Sequence, residues 1–324
     1  MSTFFCSIRI GTVFVTRYKK NRLAMRQFQP LYSHLSLILC NIVWACDYPL
    51  YNLVLGSYIS PLAMVAASLV VAAVWSLVPL LWERPEPIER KDMMKIFIAA
   101  MLIGILRKLC MMEGLVRTSP IDGSIIGTMT PLFVLTLSVA IGLERLSHRK
   151  IVGLALGMIG AIGVILSSKM KSHTHSDTTG NLLILGSAAV SALYMVWFKG
   201  LVSKYRITTL LRWIYCLSAV VMLPLGAHEI SEVRFASMDR LILFAALFVL
   251  IVPTYLPNLL LNYSLRFVEP TTTSIYAYLQ PIVAIALSVA MGLDTLRIDT
   301  IIFAVTIFAG VALVSTAHKQ QTAK

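Results

Sequence analysis

The stretch SIIGTMTPLFVLTLSVAIGLERL, from Ser124 to Leu146, returns 150 residues later as SIYAYLQPIVAIALSVAMGLDTL, from Ser274 to Leu296. The register runs without a gap. Pro120 meets Pro270, Pro131 meets Pro281, Gly142-Leu143 meets Gly292-Leu293, and Gly160 meets Gly310. Glu144 meets Asp294, Leu146 meets Leu296, and LSVA at 137–140 recurs at 287–290. Apolar helices share letters by chance. Matched prolines, a matched helix-end acid and the absence of gaps mark a duplicated unit instead.

The surroundings say what kind of unit it is. Of the 324 residues, 58% are hydrophobic and 13% charged, and mean hydropathy is +0.80. A soluble domain carries about 25% charged residues, so the chain reads as a membrane protein. A helix needs about 20 mostly apolar residues to cross the hydrocarbon core. Ten stretches qualify, at roughly 33–54, 60–82, 95–116, 121–143, 149–168, 181–202, 208–227, 240–262, 270–293 and 299–317. They are too long for barrel strands and do not alternate polar with apolar residues. Each repeat then holds five spans. Five is odd, so the second copy enters the membrane from the opposite side. The expected fold is an all-α multi-pass membrane protein with ten transmembrane helices in two inverted five-helix repeats. Residues 31–168 form the first repeat, 169–180 a linker, 181–318 the second and 319–324 a tail.

The net charge of +13 does not point to nucleic acid. With the N-terminus inside, 18 of the 28 Lys and Arg fall in cytoplasmic tails and loops, six in outer loops and four within spans. That is the positive-inside bias, and it places both termini in the cytoplasm. Residues 1–30 form a basic extension. FFCSIRIGTVFV within it is too short to span and lacks a signal-peptide cleavage site. Met25 is an alternative start, and a basic segment lying on the membrane surface is the other reading.

The five cysteines make no disulfide framework. There is no HExxH pair and no P-loop, so neither a zinc hydrolase nor intrinsic ATP hydrolysis is indicated. The six histidines lie in loops, tails or span ends, and His173 and His175 in an outer loop read as solvated rather than metal-ligating. No metal and no cofactor is expected.

TSPIDGSIIGTMTPLFVLTLSVAIGLERL, followed by GLALGMIGAIGVIL, resembles the block that closes the first half of EamA-type transporters in the drug/metabolite transporter superfamily. Residues 120–164 carry the likeness and 270–316 repeat it, with Asp294 in place of the acid-turn Glu and fewer glycines in the last helix. The resemblance implies a secondary carrier in the bacterial inner membrane that exports amino acids or other small metabolites. The solute and its direction stay open. Protons are a candidate coupling ion, and monomer and homodimer are both admissible. Gly153, Gly157 and Gly160 form a small-residue face, read as packing within the fold.

Polar groups inside spans need a reason, because a central charge costs about 2.5–3.5 kcal/mol on insertion scales. Trp44, Asp47, Tyr48 and Tyr51 share one face of the first span, and the repeat register sets Tyr194 and Trp197 against Trp44 and Asp47. A solute cavity wall has this character. Arg107, Lys108 and Glu113 in the third span depart from look-alike sequences. They form either an internally neutralised set with Asp47 or a site for a solute anion. Tyr255, Asn258 and Asn262 share a face of the eighth span, as Tyr276 and Gln280 do in the ninth. Pro131 and Pro281 each free a carbonyl one turn earlier. They are hinges lining the path or static kinks. The expected function is a secondary-active exporter of small organic metabolites, working by alternating access around a cavity between the repeats. The alternative is a membrane-embedded enzyme acting on a lipid or small molecule.

Overall fold

The computed structural model describes residues 31–143, 147–169, 177–235 and 238–322. The basic extension with Met25, the acid turn at Glu144, and His173 and His175 lie outside the described residues. No strand forms among the described residues. The chain folds into α1 (Leu31–Val54), α2 (Pro61–Leu81), α3 (90–116), α4 (Pro120–Ala140), α5 (His148–Lys169), α6 (Thr178–Trp197), α7 (Ile207–Glu232), α8 (Arg240–Phe267), α9 (Pro270–Ala290) and α10 (Ile298–Thr322). A short helix, Lys199–Lys204, follows α6. The protein is thus all-helical and multi-pass. Seven of these helices (α1, α2, α4, α6, α7, α8 and α9) are long and apolar enough to cross a membrane, and α10 adds a shorter apolar run over Ile298–Gly310. Large apolar side chains such as Val220, Leu225, Phe244 and Ile282 stand more than 60% exposed around the outside. A soluble monomer of this size would not leave so many uncovered.

The two repeats end their fourth helices in the same way. After α4 the amide of Gly142 donates to Val139 O and that of Leu143 to Ser138 O. After α9 the amide of Gly292 donates to Val289 O and that of Leu293 to Ser288 O. Both are Schellman caps, which need a left-handed residue, and Gly142 and Gly292 supply φ values of 77° and 67°. Both helices also break in the same place. α4 runs to Gly127, turns at residues 128–129 and resumes at Thr130. α9 runs to Ile275, tightens into a 3-10 turn over Tyr276–Tyr278 and resumes at Leu279. Pro131 and Pro281 follow directly, and neither can donate to the carbonyl four residues back.

Helices also pair by repeat position. α2 packs on α7, α5 on α10 and α4 on α9. α3 packs on α6. Its counterpart pairing, α8 with α1, is tied by Ser264 Oγ donating to Ser33 O and by Cys40 Sγ donating to Pro257 O. The α5–α10 pair is close enough to need glycine. A Cβ on Gly310 would lie 2.5 Å from Gly153 O and 2.7 Å from Gly157 N, and one on Gly160 would lie 2.6 Å from Ile307. The small-residue face therefore serves packing within the chain.

Loops contact one another in two separate sets. Ser60 bonds Glu229, Thr118 bonds Asn181, the Asp177 amide donates to Arg117 O at 2.6 Å and the Ile121 amide to Asp294 at 3.4 Å. In the other set Lys204 reaches Asp92 at 2.5 Å and Glu89 at 2.6 Å, and Lys199 reaches Glu269 at 2.5 Å. Hydrogen bonds from Lys204 and Lys91 hold the Glu89 carboxyl below its usual range, and those to Asp92 and Glu89 hold the Lys204 ammonium above its own.

Replacing Gly310 with Leu should wedge α5 from α10. Overpacking costs about 1–3 kcal/mol, so the melting temperature of the detergent-purified protein should fall by several degrees. An unchanged melt would contradict the close approach.

Candidate functional site

Between the two repeats lies a small cavity of about 60 Å³, lined from α1, α3, α4, α6, α8 and α9. That is room for a few waters. Its walls follow the repeat register. Asn41 and Ser191, Trp44 and Tyr194, Met111 and Leu261, Gly127 and Ala277, and Thr130 and Gln280 are five pairs, each 150 residues apart, and all ten residues line it.

A polar network closes one wall. Gln280 Nε2 donates to Asn41 Oδ1 at 2.7 Å, Tyr48 Oη donates to Gln280 Oε1 at 3.3 Å, and Asn41 Nδ2 donates to Leu37 O at 2.8 Å. Opposite, Tyr194 Oη donates to Asn262 Oδ1 at 2.6 Å. The helix breaks meet here too. Gly127 O, the carbonyl left free by Pro131, accepts from Thr130 Oγ1 at 2.9 Å. Tyr278 Oη donates across to Thr128 O at 3.3 Å, again between residues 150 apart.

α3 reaches the cavity through a π-helical segment, Ala100–Leu106. Such segments are rare and frequent at functional sites. Ser218 of α7 donates to Ala100 O at 2.9 Å, and Gly104 leaves room for its hydroxyl. Arg107 follows at once. Its guanidinium carbon lies 5.2 Å from the centre of the Trp44 ring. Lys108, 8% exposed, donates to Ser68 Oγ at 2.8 Å. Asp47 is 4% exposed, and its Oδ1 accepts no hydrogen bond.

Of the residues expected at a cavity, Trp44, Tyr48, Arg107, Tyr194 and Gln280 line this one. Lys108, Asn258 and Asn262 line a smaller adjoining pocket, which shares Arg107 and Tyr194 with it. Asp47 lies on neither lining. The remaining expected residues sit elsewhere. Tyr51 is core, and its hydroxyl donates at 3.4 Å to Val249 O, the carbonyl that Pro253 frees on α8. Glu113 pairs with Arg117 one turn on, at 3.4 Å, away from the cavity. Trp197 is 72% exposed on the outer surface, because α6 ends there and Phe198 takes the inward position. Tyr255 packs against Tyr215 at 6.0 Å, and Tyr276 bonds His34 at 2.6 Å. The small polar residues Asn41, Thr130, Ser187, Ser191, Thr273 and Ser274 line the cavity without having been expected there. The repeat register could have found Thr130 from Gln280. Nothing in composition announces the π-helical segment.

This fold and cavity define a class, the polytopic helical membrane proteins built around an internal site. The EamA-like transporter family model matches residues 31–166 and again 178–316. The chain belongs to the EamA-like transporter family. It is 23% identical over 258 residues to an uncharacterized transporter of Archaeoglobus fulgidus, covering 79% of this chain and 89% of that protein. It is likewise 23% identical over 263 residues to the uncharacterized transporter YyaM of Bacillus subtilis, covering 80% and 85%. A solved crystal structure superposes with a TM-score of 0.61 at 13% identity, covering 90% of this chain and 98% of its own, which speaks for the fold. The protein is therefore a membrane transporter by family.

Tyr51→Phe should remove a donor from Val249 O and cost about 1 kcal/mol of stability. Its thermal melt should fall while solute movement per folded molecule stays at the wild-type level. Lost transport with an unshifted melt would instead put Tyr51 on the solute path.

Proposed function

We propose that the protein is a secondary-active carrier that exports small organic metabolites from the cytoplasm. It works by alternating access, with ten crossings in two inverted five-helix halves and both termini in the cytoplasm of a bacterial inner-membrane setting. One observation carries this reading: five residue pairs, each 150 apart in sequence, converge on one internal cavity. Two copies of a five-helix unit facing each other about a common axis produce such pairing.

The loop contacts support the alternation of sides. Numbering ten crossings from a cytoplasmic start places Ser60, Glu229, Thr118, Asn181, Arg117, Asp177, Ile121 and Asp294 toward one side. It places Glu89, Asp92, Lys199, Lys204 and Glu269 toward the other. No contact in these two sets joins opposite sides. The breaks before Pro131 and Pro281 suit hinges, since a backbone without its helical hydrogen bonds bends at low cost when local side chains serve the free carbonyls. Asp47, buried beside the cavity wall, is the candidate carrier of a coupling proton.

The reading is tested by comparing metabolites in medium and cytosol of cells with and without the chain, alongside Ser191→Trp. The chain should move at least one small metabolite outward. Tryptophan at 191 should fill a cavity of about 60 Å³ and stop export with the protein still folded in the membrane. Equal metabolite profiles, or full export by the tryptophan variant, would overturn the reading.

A further inference from the structure

Resting on the carrier reading above, we propose that the transported solute is an organic monoanion, a carboxylate above all, whose charged group is held by Arg107. The cavity walls hold one cation, Arg107, and no acid. The adjoining pocket adds Lys108 and again no acid. Lys108 is buried, at 8% exposure, and donates to Ser68 Oγ. Arg107 is the cation on the main cavity wall. It lies within ion-pair distance of no carboxylate among the described residues.

The geometry around Arg107 also suits an anion. Its guanidinium carbon lies over the Trp44 ring, 5.2 Å from the centre, a cation–π contact that brings no counter-charge. The N–H groups lie in the guanidinium plane and match the two oxygens of a carboxylate. A cation withdrawn from water without a counter-charge is costly, and a solute carboxylate removes that cost. A second donor stands ready: the Thr273 hydroxyl lines the cavity, is 1% exposed and has no hydrogen-bond partner. A single positive charge suits a monoanion better than a doubly charged phosphate. Trp44, Tyr48 and Tyr194 give the rest of the solute an aromatic wall.

The test uses three probes of one shape and different charge, namely benzoate, benzamide and benzylamine. Binding to the purified full-length chain is measured by equilibrium dialysis, and uptake is measured in proteoliposomes. Benzoate should bind at least about tenfold tighter than the other two. Arg107→Gln should erase that preference. Arg107→Lys keeps the charge but loses the planar fork, so it should keep the preference at weaker affinity, and it carries the test if the glutamine variant does not fold. Equal or stronger binding of benzamide or benzylamine would overturn the anion assignment, as would an unchanged benzoate affinity in either variant. In those cases, uptake of the preferred probe leaves the carrier reading standing. Binding of none of the three, with no uptake, would count against both.

Discussion

A backbone carbonyl released from a helix within a membrane must be served by protein or by water in a cavity, because lipid offers it nothing. Pro131 and Pro281 release such carbonyls in α4 and α9, and most of the architecture follows from where these can be satisfied. Neither helix can face lipid at its break, so the two are driven to the centre and against each other. At the α4 break Thr130 serves Gly127 O, and Tyr278 from the α9 break serves Thr128 O. The other helices arrange around this pair by repeat position, and the cavity opens beside the breaks. The same rule recurs at the periphery. Pro253 releases Val249 O on α8, and Tyr51 of α1 reaches over to serve it.

Much of this was legible in the sequence, and for a physical reason. Prolines, cap glycines and close-packed glycines are chosen by backbone geometry, so a duplicated backbone keeps them at a fixed offset. Pro131 and Pro281, Gly142 and Gly292, and Gly160 and Gly310 all report structure faithfully. Rotation of a helix about its axis is harder to read. In α1 the residues that reach the cavity are Asn41, Trp44 and Tyr48, whereas the aromatic stripe read from sequence runs on through Asp47 to Tyr51. A helix apolar on nearly every side carries little amphipathic signal to fix its orientation. Glu113 and Trp197 show a second limit. One finds a partner a single turn away and the other stands where its helix stops, and both outcomes depend on where helices end rather than on residue type. The π-helical segment that precedes Arg107 is met at Ala100 O by Ser218, more than a hundred residues away, a contact that no local pattern announces.

The charges in the centre divide the labour. Asp47 and Lys108 sit deep, and Lys108 is anchored to Ser68 on α2. Arg107 stays half-buried over the Trp44 ring, on the cavity wall. An arrangement serving stability alone would not place a cation on the wall of an internal space, since replacing buried charges with apolar residues is often neutral or stabilising. The size of the cavity adds a second condition: with room for only a few waters, it must widen before it holds a solute.

Distances across the two sides test this most directly. Spin labels at Lys91 and Gly200 report on the side held by Lys204, Asp92 and Glu89, and labels at Arg117 and Thr295 report on the other. In lipid, with and without a transported solute, each pair should show a short and a long distance, and the two pairs should shift in opposite directions. Both pairs lengthening together, or neither showing a second distance under any condition, would contradict two halves rocking about their paired breaks.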